Sequence, residues 1–226
     1  GRWQTTKAMS IDSVALRERI INACREMERS GLNRGTSGNV SCREGDHLLI
    51  TPSGVPVPEM QPDSIVAMDF SGQILSGGKP SSEWHFHIDL LKNRPDLNAI
   101  VHTHSPHATA LACLREDLPA FHYMIAIAGG DSIRCAPYAL FGTETLSAHA
   151  VTAMKDRKAC LLANHGLIAA GRDLDEAMAV AIEIESLCQQ YLLARQTGKP
   201  VLLSSEEMQA VIERFPSYGR NANQTP

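Results

Sequence analysis

Two histidines stand two positions apart in the stretch AIVHTHSPH, residues 99–107. The apolar residues before them are typical of a buried strand, in which alternate side chains share one face. His102 and His104 are therefore expected to point to the same side, at the strand end where open α/β sheets bind ligands. A single strand histidine is usually an ordinary core or edge residue, whereas such a pair favours metal binding.

A catalytic metal ion needs a third protein ligand and an open coordination position. His165, in NHGLI, also follows an apolar run and is a candidate third ligand. Three neutral imidazoles suit Zn²⁺. Glu83 follows two serines at the start of a predicted helix, where a carboxylate can ligate a metal, carry a proton, or simply favour the positive helix end. His87, one turn further, can share the face of Glu83.

Three short stretches have the composition of anion-binding turns: GTSGNVS (35–41), TPSG (51–54) and PSSE (80–83). Backbone N–H groups at such turns and at helix starts bind phosphate without a nearby arginine. Each stretch alone is also compatible with a plain turn. None has the spacing of a nucleoside triphosphate P-loop or a dinucleotide-binding fingerprint.

The elements that must position these residues alternate between helix and strand periodicity. Helices are predicted at residues 12–30, 81–95, 106–114, 144–156, 174–198 and 204–215, with Ser81 or Ser82 capping the second. Strands are predicted at 39–43, 47–51, 64–70, 98–104 and 132–140, and residues 159–171 are predicted to form a β-hairpin or a buried strand with a sharp turn at His165 and Gly166. This order predicts one domain over residues 1–226, a three-layer α/β/α sandwich with a central mixed, largely antiparallel sheet.

Composition narrows the class of protein. The chain has 226 residues, 43% of them hydrophobic, and a net charge of −4, which predicts no nucleic-acid partner. No apolar stretch is long enough for a membrane helix. Six scattered cysteines without a CxxC motif are expected to be reduced, in a cytoplasmic protein. Residues 1–9 are expected to be a tag or disordered, with Met9 a candidate natural start, and residues 219–226 to be a flexible tail.

Seven stretches occur in an order that is specific in combination: GLNRGTSGNVS, TPSGV, KPSSEWHFH, VHTHSPH, PAFHYMIAIAGG, CAPYALFGT and NHGLIAAG. Together they resemble the class II aldolase/epimerase family, which also includes the adducin head, over residues 12–220. Within that family the chain is most similar to the bacterial L-fuculose-1-phosphate aldolases.

The resemblance implies a zinc-dependent lyase that cleaves a ketose 1-phosphate, such as L-fuculose 1-phosphate, to dihydroxyacetone phosphate and an aldehyde, such as L-lactaldehyde. It implies a homotetramer with active sites between subunits and one Zn²⁺ per subunit. The implied metal ligands are His102, His104, His165 and, in the resting state, Glu83, which is also the acid/base. Tyr123 is implied as a proton donor from a neighbouring subunit. The implied phosphate contacts are Gly38, Asn39, Ser53, Gly54, Ser81 and Ser82, and the residues lining the aldehyde side are Phe141, Phe215 and Tyr218.

Two departures bear on substrate fit: Ser53 stands where threonine is common, and Asn164 where histidine is expected. Related enzymes act on 5-deoxyribulose or methylthioribulose 1-phosphate with nearly the same motifs, so these substrates stay open. So do an L-ribulose-5-phosphate 4-epimerase and a methylthioribulose-1-phosphate dehydratase. A non-catalytic adducin-like protein is disfavoured, because such proteins tend to lose the zinc histidines.

Overall fold

One eight-stranded sheet forms the centre of the computed structural model, which describes residues 9–217. The strands are β1 (Asn39–Glu44), β2 (His47–Ile50), β3 (Val66–Asp69), β4 (Ile74–Ser76), β5 (Ala99–Thr103), β6 (Cys135–Ala136), β7 (Ala159–Leu162) and β8 (Gly166–Gly171). They lie in the order β4-β3-β2-β1-β5-β8-β7-β6, and each neighbouring pair is antiparallel except β6 with β7.

Helices cover both faces of this sheet. They are α1 (Ile11–Arg29), α2 (Trp84–Asn93), α3 (Pro106–Ala112), α4 (Glu144–Ala153), α5 (Leu174–Thr197) and α6 (Ser205–Arg214). In β5, Val101 packs into the core shared with α1, α3 and α5, whereas Ile100 packs into the core shared with α2 and α4. The predicted three-layer α/β/α sandwich with a mixed, largely antiparallel sheet is confirmed.

Most element boundaries agree with the prediction within a few residues, but three details were wrong. The N-cap of α2 is Glu83, not Ser81 or Ser82, and the helix begins at Trp84. The strand predicted over 132–140 shrinks to two residues, because Pro137 cannot donate to a ladder. Strand β4 was missed, since all three of its residues are exposed and show no apolar alternation.

All six cysteines are unpaired, and Cys24, Cys42, Cys160 and Cys188 are buried, which confirms the expectation of free thiols. No helix in the described range is long and apolar enough to span a membrane. The expectations for residues 1–8 and for the tail from residue 218 onward, Tyr218 included, lie outside the described residues.

Candidate active site

Three adjacent strands bring the predicted site residues to one edge of the sheet. Strand β5 lies between β1 and β8, and Asn39 at the start of β1 pairs with His102 near the end of β5. Thr103 pairs with Leu167 of β8, so His165, just before β8, arrives beside the end of β5. Antiparallel pairing on both sides of β5 therefore gathers residues that are distant in sequence.

Helix α2 adds the carboxylate from the face of the sheet. His102 shares the face of Ile100, and its ring meets Phe86 of α2 edge-on, with centroids 5.4 Å apart. Glu83, at the N-terminus of this helix, is buried. Its Oε2 lies 3.0 Å from Nε2 of His102, and its Oε1 lies 2.7 Å from Nε2 of His165.

The three predicted histidines converge on a single point. His104 lies one residue beyond β5, yet its Nε2 is 3.1 Å from Nε2 of His102. The ring centroids of His102, His104 and His165 are 4.8–5.0 Å apart, and the rings are steeply inclined to one another. One atom from each histidine and one from Glu83 all lie within 4.8 Å of one another.

The donor set fits a divalent metal ion. Nδ1 of His102 lies 2.9 Å from the carbonyl oxygen of Leu167, which can only accept, so this nitrogen carries the proton and Nε2 presents its lone pair. Oε1 of Glu83 is buried and makes no hydrogen bond to any described residue, despite its proximity to His165. Three imidazoles and a carboxylate match the ligands of zinc in proteins.

A cavity of about 440 Å³ opens above this cluster. Glu83, His104 and His165 form part of its wall. The predicted substrate residues that line it are Gly38, Asn39, Ser53, Gly54, Ser81, Ser82 and Phe141. Gly38 and Gly54 have φ of +80° and +68°, a backbone conformation that favours glycine.

Comparison with known proteins gives a consistent result. The profile of the Class II Aldolase and Adducin N-terminal domain matches residues 18–192. The chain is 52% identical to a 5-methylthioribulose-1-phosphate/5-deoxyribulose-1-phosphate aldolase of Rhodospirillum rubrum, over 92% of this chain and 95% of that protein.

It is also 50% identical to the L-fuculose phosphate aldolase of Escherichia coli K12, over 90% and 95% of the two chains. A solved structure of an L-fuculose 1-phosphate aldolase superposes with a TM-score of 0.88 at 41% identity, covering 92% of this chain and 98% of that one. This chain belongs to the class II aldolase family.

As a class II aldolase, the protein is a metal-dependent aldehyde-lyase. The pKa values of Glu83 and His104 are consistent with metal binding. Burial opposes ionisation of Glu83, but the adjacent His102 and His165 outweigh it and hold the pKa of Glu83 well below its usual range. Burial, with His102 and His165 nearby, lowers the pKa of His104 to about 4. Glu83 is therefore a carboxylate and His104 a neutral ring, which are the protonation states that metal ligation requires.

Two predicted residues of this class II aldolase lie away from the cavity. Tyr123 begins a 3₁₀ helix (Tyr123–Ala128) and is half-exposed, but does not line the cavity above the histidines. Phe215 lines a separate groove together with Met124 and Ile212. The sequence alone does not show that these two residues lie away from the candidate metal ligands.

The structure adds Thr36 and Tyr138 to this class II aldolase site, since both line the cavity. Asn164, expected from the sequence to bear on substrate fit, lines it as well. Nε of Arg115 donates to Oδ1 of Asn164 at 2.7 Å, and its guanidinium lies over the Tyr138 ring. The stretch CAPYALFGT offered a signal for Tyr138, since it stands three residues before Phe141, whereas nothing in the sequence linked Arg115 to the site.

Proposed function

We propose that this class II aldolase is zinc-dependent and reversibly cleaves a ketose 1-phosphate to dihydroxyacetone phosphate and an aldehyde. One observation carries the proposal: three members of the four-residue metal-ligand cluster, Glu83, His104 and His165, lie in the wall of the same cavity as three hydroxyl- and glycine-rich loops. A bound cation would supply positive charge where cleavage of a carbon–carbon bond leaves negative charge on oxygen.

The loops are suited to the phosphate. The described residues that line the cavity include Thr36, Ser53, Ser81 and Ser82 but no lysine or arginine. The bridge between Pro52 and Pro80 joins two of these loops. Hydroxyl and backbone N–H donors would therefore bind the phosphate, as they do in other anion sites built from turns and helix starts.

Two residues carry the proton transfers in this proposal. Glu83 returns a proton to the donor carbon during cleavage and removes it during condensation. In the resting position the histidines keep Glu83 ionised; once it moves away from them, burial raises its pKa and makes it a more effective base. Tyr123 protonates the aldehyde oxygen during condensation.

L-Fuculose 1-phosphate, which would yield L-lactaldehyde, is one candidate substrate. 5-Deoxyribulose 1-phosphate and methylthioribulose 1-phosphate are supported equally by similarity. Tyr138 and Phe141 expose aromatic surface at the cavity, which suits an aldehyde with an apolar end. The test is a panel of these ketose 1-phosphates assayed for dihydroxyacetone phosphate release. Release from none of them under metal-replete conditions would contradict the proposal.

Two alternative activities would use the same candidate metal ligands and are distinguished from the aldolase by their products. An L-ribulose-5-phosphate 4-epimerase would form D-xylulose 5-phosphate without accumulating dihydroxyacetone phosphate. A methylthioribulose-1-phosphate dehydratase would release water and leave the carbon chain intact. The 52% and 50% identity to two aldolases favours cleavage over both of these activities.

We further propose a cytoplasmic homotetramer whose sites are shared between subunits. The free cysteines suit a reducing compartment. Tyr123 and Phe215 do not line the cavity of the same chain, so the roles proposed for them in the site require a second copy of the chain. Mixing Glu83→Gln with Tyr123→Phe subunits tests this: hybrids with shared sites regain activity, whereas hybrids with self-contained sites stay inactive. Light scattering gives the subunit number.

A further inference from the structure

A chain of hydrogen bonds runs through the interior behind the metal cluster. Oγ of Ser41 lies 2.6 Å from Nδ1 of His87, and Nε2 of His87 lies 2.5 Å from Oδ1 of Asn39. Nδ2 of Asn39 donates to Oε2 of Glu83 at 2.9 Å. Ser41 and His87 are fully buried, and Asn39 is nearly so. These hydrogen bonds connect His87 of α2 to Glu83, the predicted acid/base, through Asn39 of β1.

The chemistry of these four side chains determines which atom donates and which accepts in each hydrogen bond. The carboxylate of Glu83 accepts, so Asn39 turns its NH₂ group toward it and its carbonyl oxygen toward His87. That oxygen also accepts, so Nε2 of His87 must carry the proton. A neutral imidazole has one N–H, so Nδ1 accepts from the hydroxyl of Ser41.

The surroundings of His87 support the neutral ring. Burial, with His102 nearby, lowers the pKa of His87 to about 3, despite the opposing charge of Glu83. The ring stacks against Phe86 with centroids 4.7 Å apart. His87 therefore has one proton, and its two hydrogen bonds fix where that proton lies.

We propose that His87 is a positioning residue that holds the amide of Asn39 with its NH₂ group toward Glu83. The importance of the hydrogen bond from Asn39 to Glu83 rests on the proposed function, in which Glu83 transfers a proton. Metal ligands carry no proton, so with a metal ion at Nε2 of His102 and of His165 neither nitrogen could donate to Glu83. Among the described residues, Asn39 is the side chain that donates a hydrogen bond to this carboxylate.

Loss of the Nε2 proton would free the amide to rotate. A rotated Asn39 places its carbonyl oxygen against Oε2 of Glu83, where two acceptors repel each other. Glu83 would then lose a donor that orients it, while the three histidine ligands stay in place. The expected defect is therefore in proton transfer, not in metal content.

The first experiment reads the tautomer without any substrate. Long-range ¹H–¹⁵N correlation spectra of the metal-free, histidine-labelled protein should show His87 as the Nε2–H tautomer. A Ser41→Ala variant should keep the ring assignable and change its Nδ1 shift. A His87 ring found as the Nδ1–H tautomer, or doubly protonated near neutral pH, overturns the proposal.

The second experiment separates positioning from packing. His87→Leu should lower kcat about 10- to 100-fold, with zinc content and KM little changed, because supporting partners of metal ligands have effects of this size. His87→Gln, whose amide can donate to Asn39, should recover much of the loss. Ile88→Val, a buried change on the same helix, controls for packing and should leave kcat at the parental value.

Unchanged kcat in His87→Leu, or no recovery in His87→Gln, counts against the proposal. The proposal is also contradicted if kcat and KM of the variants change together and in proportion to their loss of thermal stability. If the parental protein releases dihydroxyacetone phosphate from no substrate, the proposed function fails, and the tautomer measurement still decides the role of His87.

Discussion

Replacing Gly166 by alanine should disrupt the metal site by steric overlap with the backbone of Thr103 and the ring of His104. Gly166 opens β8, directly after His165. A Cβ atom at this position would lie 2.3 Å from the carbonyl oxygen of Thr103 and 3.1 Å from Cδ2 of His104. The glycine therefore permits the close approach of β8 to the strand end that carries the other two ligands.

The size of the effect follows from these distances. The Cβ–oxygen distance of 2.3 Å is roughly 1 Å shorter than van der Waals contact, so the carbonyl of Thr103 would have to withdraw by about that much. The distance of 3.1 Å to the His104 ring is about 0.5 Å shorter than the roughly 3.5–4.0 Å at which carbon atoms rest, so the ring would have to move by about half as much. Overpacking of this kind costs about 1–3 kcal/mol of stability. A misplacement of about 1 Å in a catalytic site costs about 100-fold in rate.

The assay compares Gly166→Ala with Gly78→Ala, whose added Cβ meets no atom within 4 Å. Zinc affinity by chelator competition, kcat/KM for the active substrate and urea unfolding are measured for both variants. The Gly166 variant should lose zinc affinity and kcat/KM and unfold at lower urea, while the control should match the parent. Parental zinc affinity and activity in Gly166→Ala would refute the reasoning.

Four further predictions address other parts of the site. Removing the metal with a chelator should abolish cleavage, and added Zn²⁺ should restore it; full activity after stripping would remove the metal from the reaction. Glu83→Gln should retain zinc but lose proton exchange at the donor carbon by about 100-fold or more, the usual contribution of an acid/base; unchanged exchange would reject its role. Tyr123→Phe should impair cleavage without lowering the melting temperature, because this side chain is half-exposed; a fully active variant would exclude the phenol as the donor. In the metal-free protein, unfolded His87 takes up a proton below about pH 6.5, whereas the folded ring, with a pKa of about 3, does not. The free energy of unfolding should therefore fall as pH drops from 6.5 toward 3, by up to about 1.4 kcal/mol per pH unit. His87→Leu should show a shallower slope in urea titrations, and equal slopes would contradict the assignment.

Much of the fold could be predicted because its signals are local. The long helix predicted at 174–198, which became α5, and the apolar run that precedes His102 depend only on neighbouring residues. Strand β4 was missed because its three exposed residues carry no burial pattern. The predicted cap of α2 was wrong because serines are common caps, whereas the position of Glu83 depends on its contacts with His102 and His165.

The sequence by itself determined the residue types of the site: an HxH pair at a strand end, a third histidine before a glycine, and a glutamate at a helix start. Only the tertiary structure decided that β1, β5 and β8 are neighbours, which places Asn39, His102 and His165 together. It also decided that His87 reaches Glu83 through Asn39, and that Tyr123 does not line the cavity above the histidines. The physical reason is that periodicity specifies which face of an element is buried, whereas strand order and register depend on packing between residues far apart in the chain.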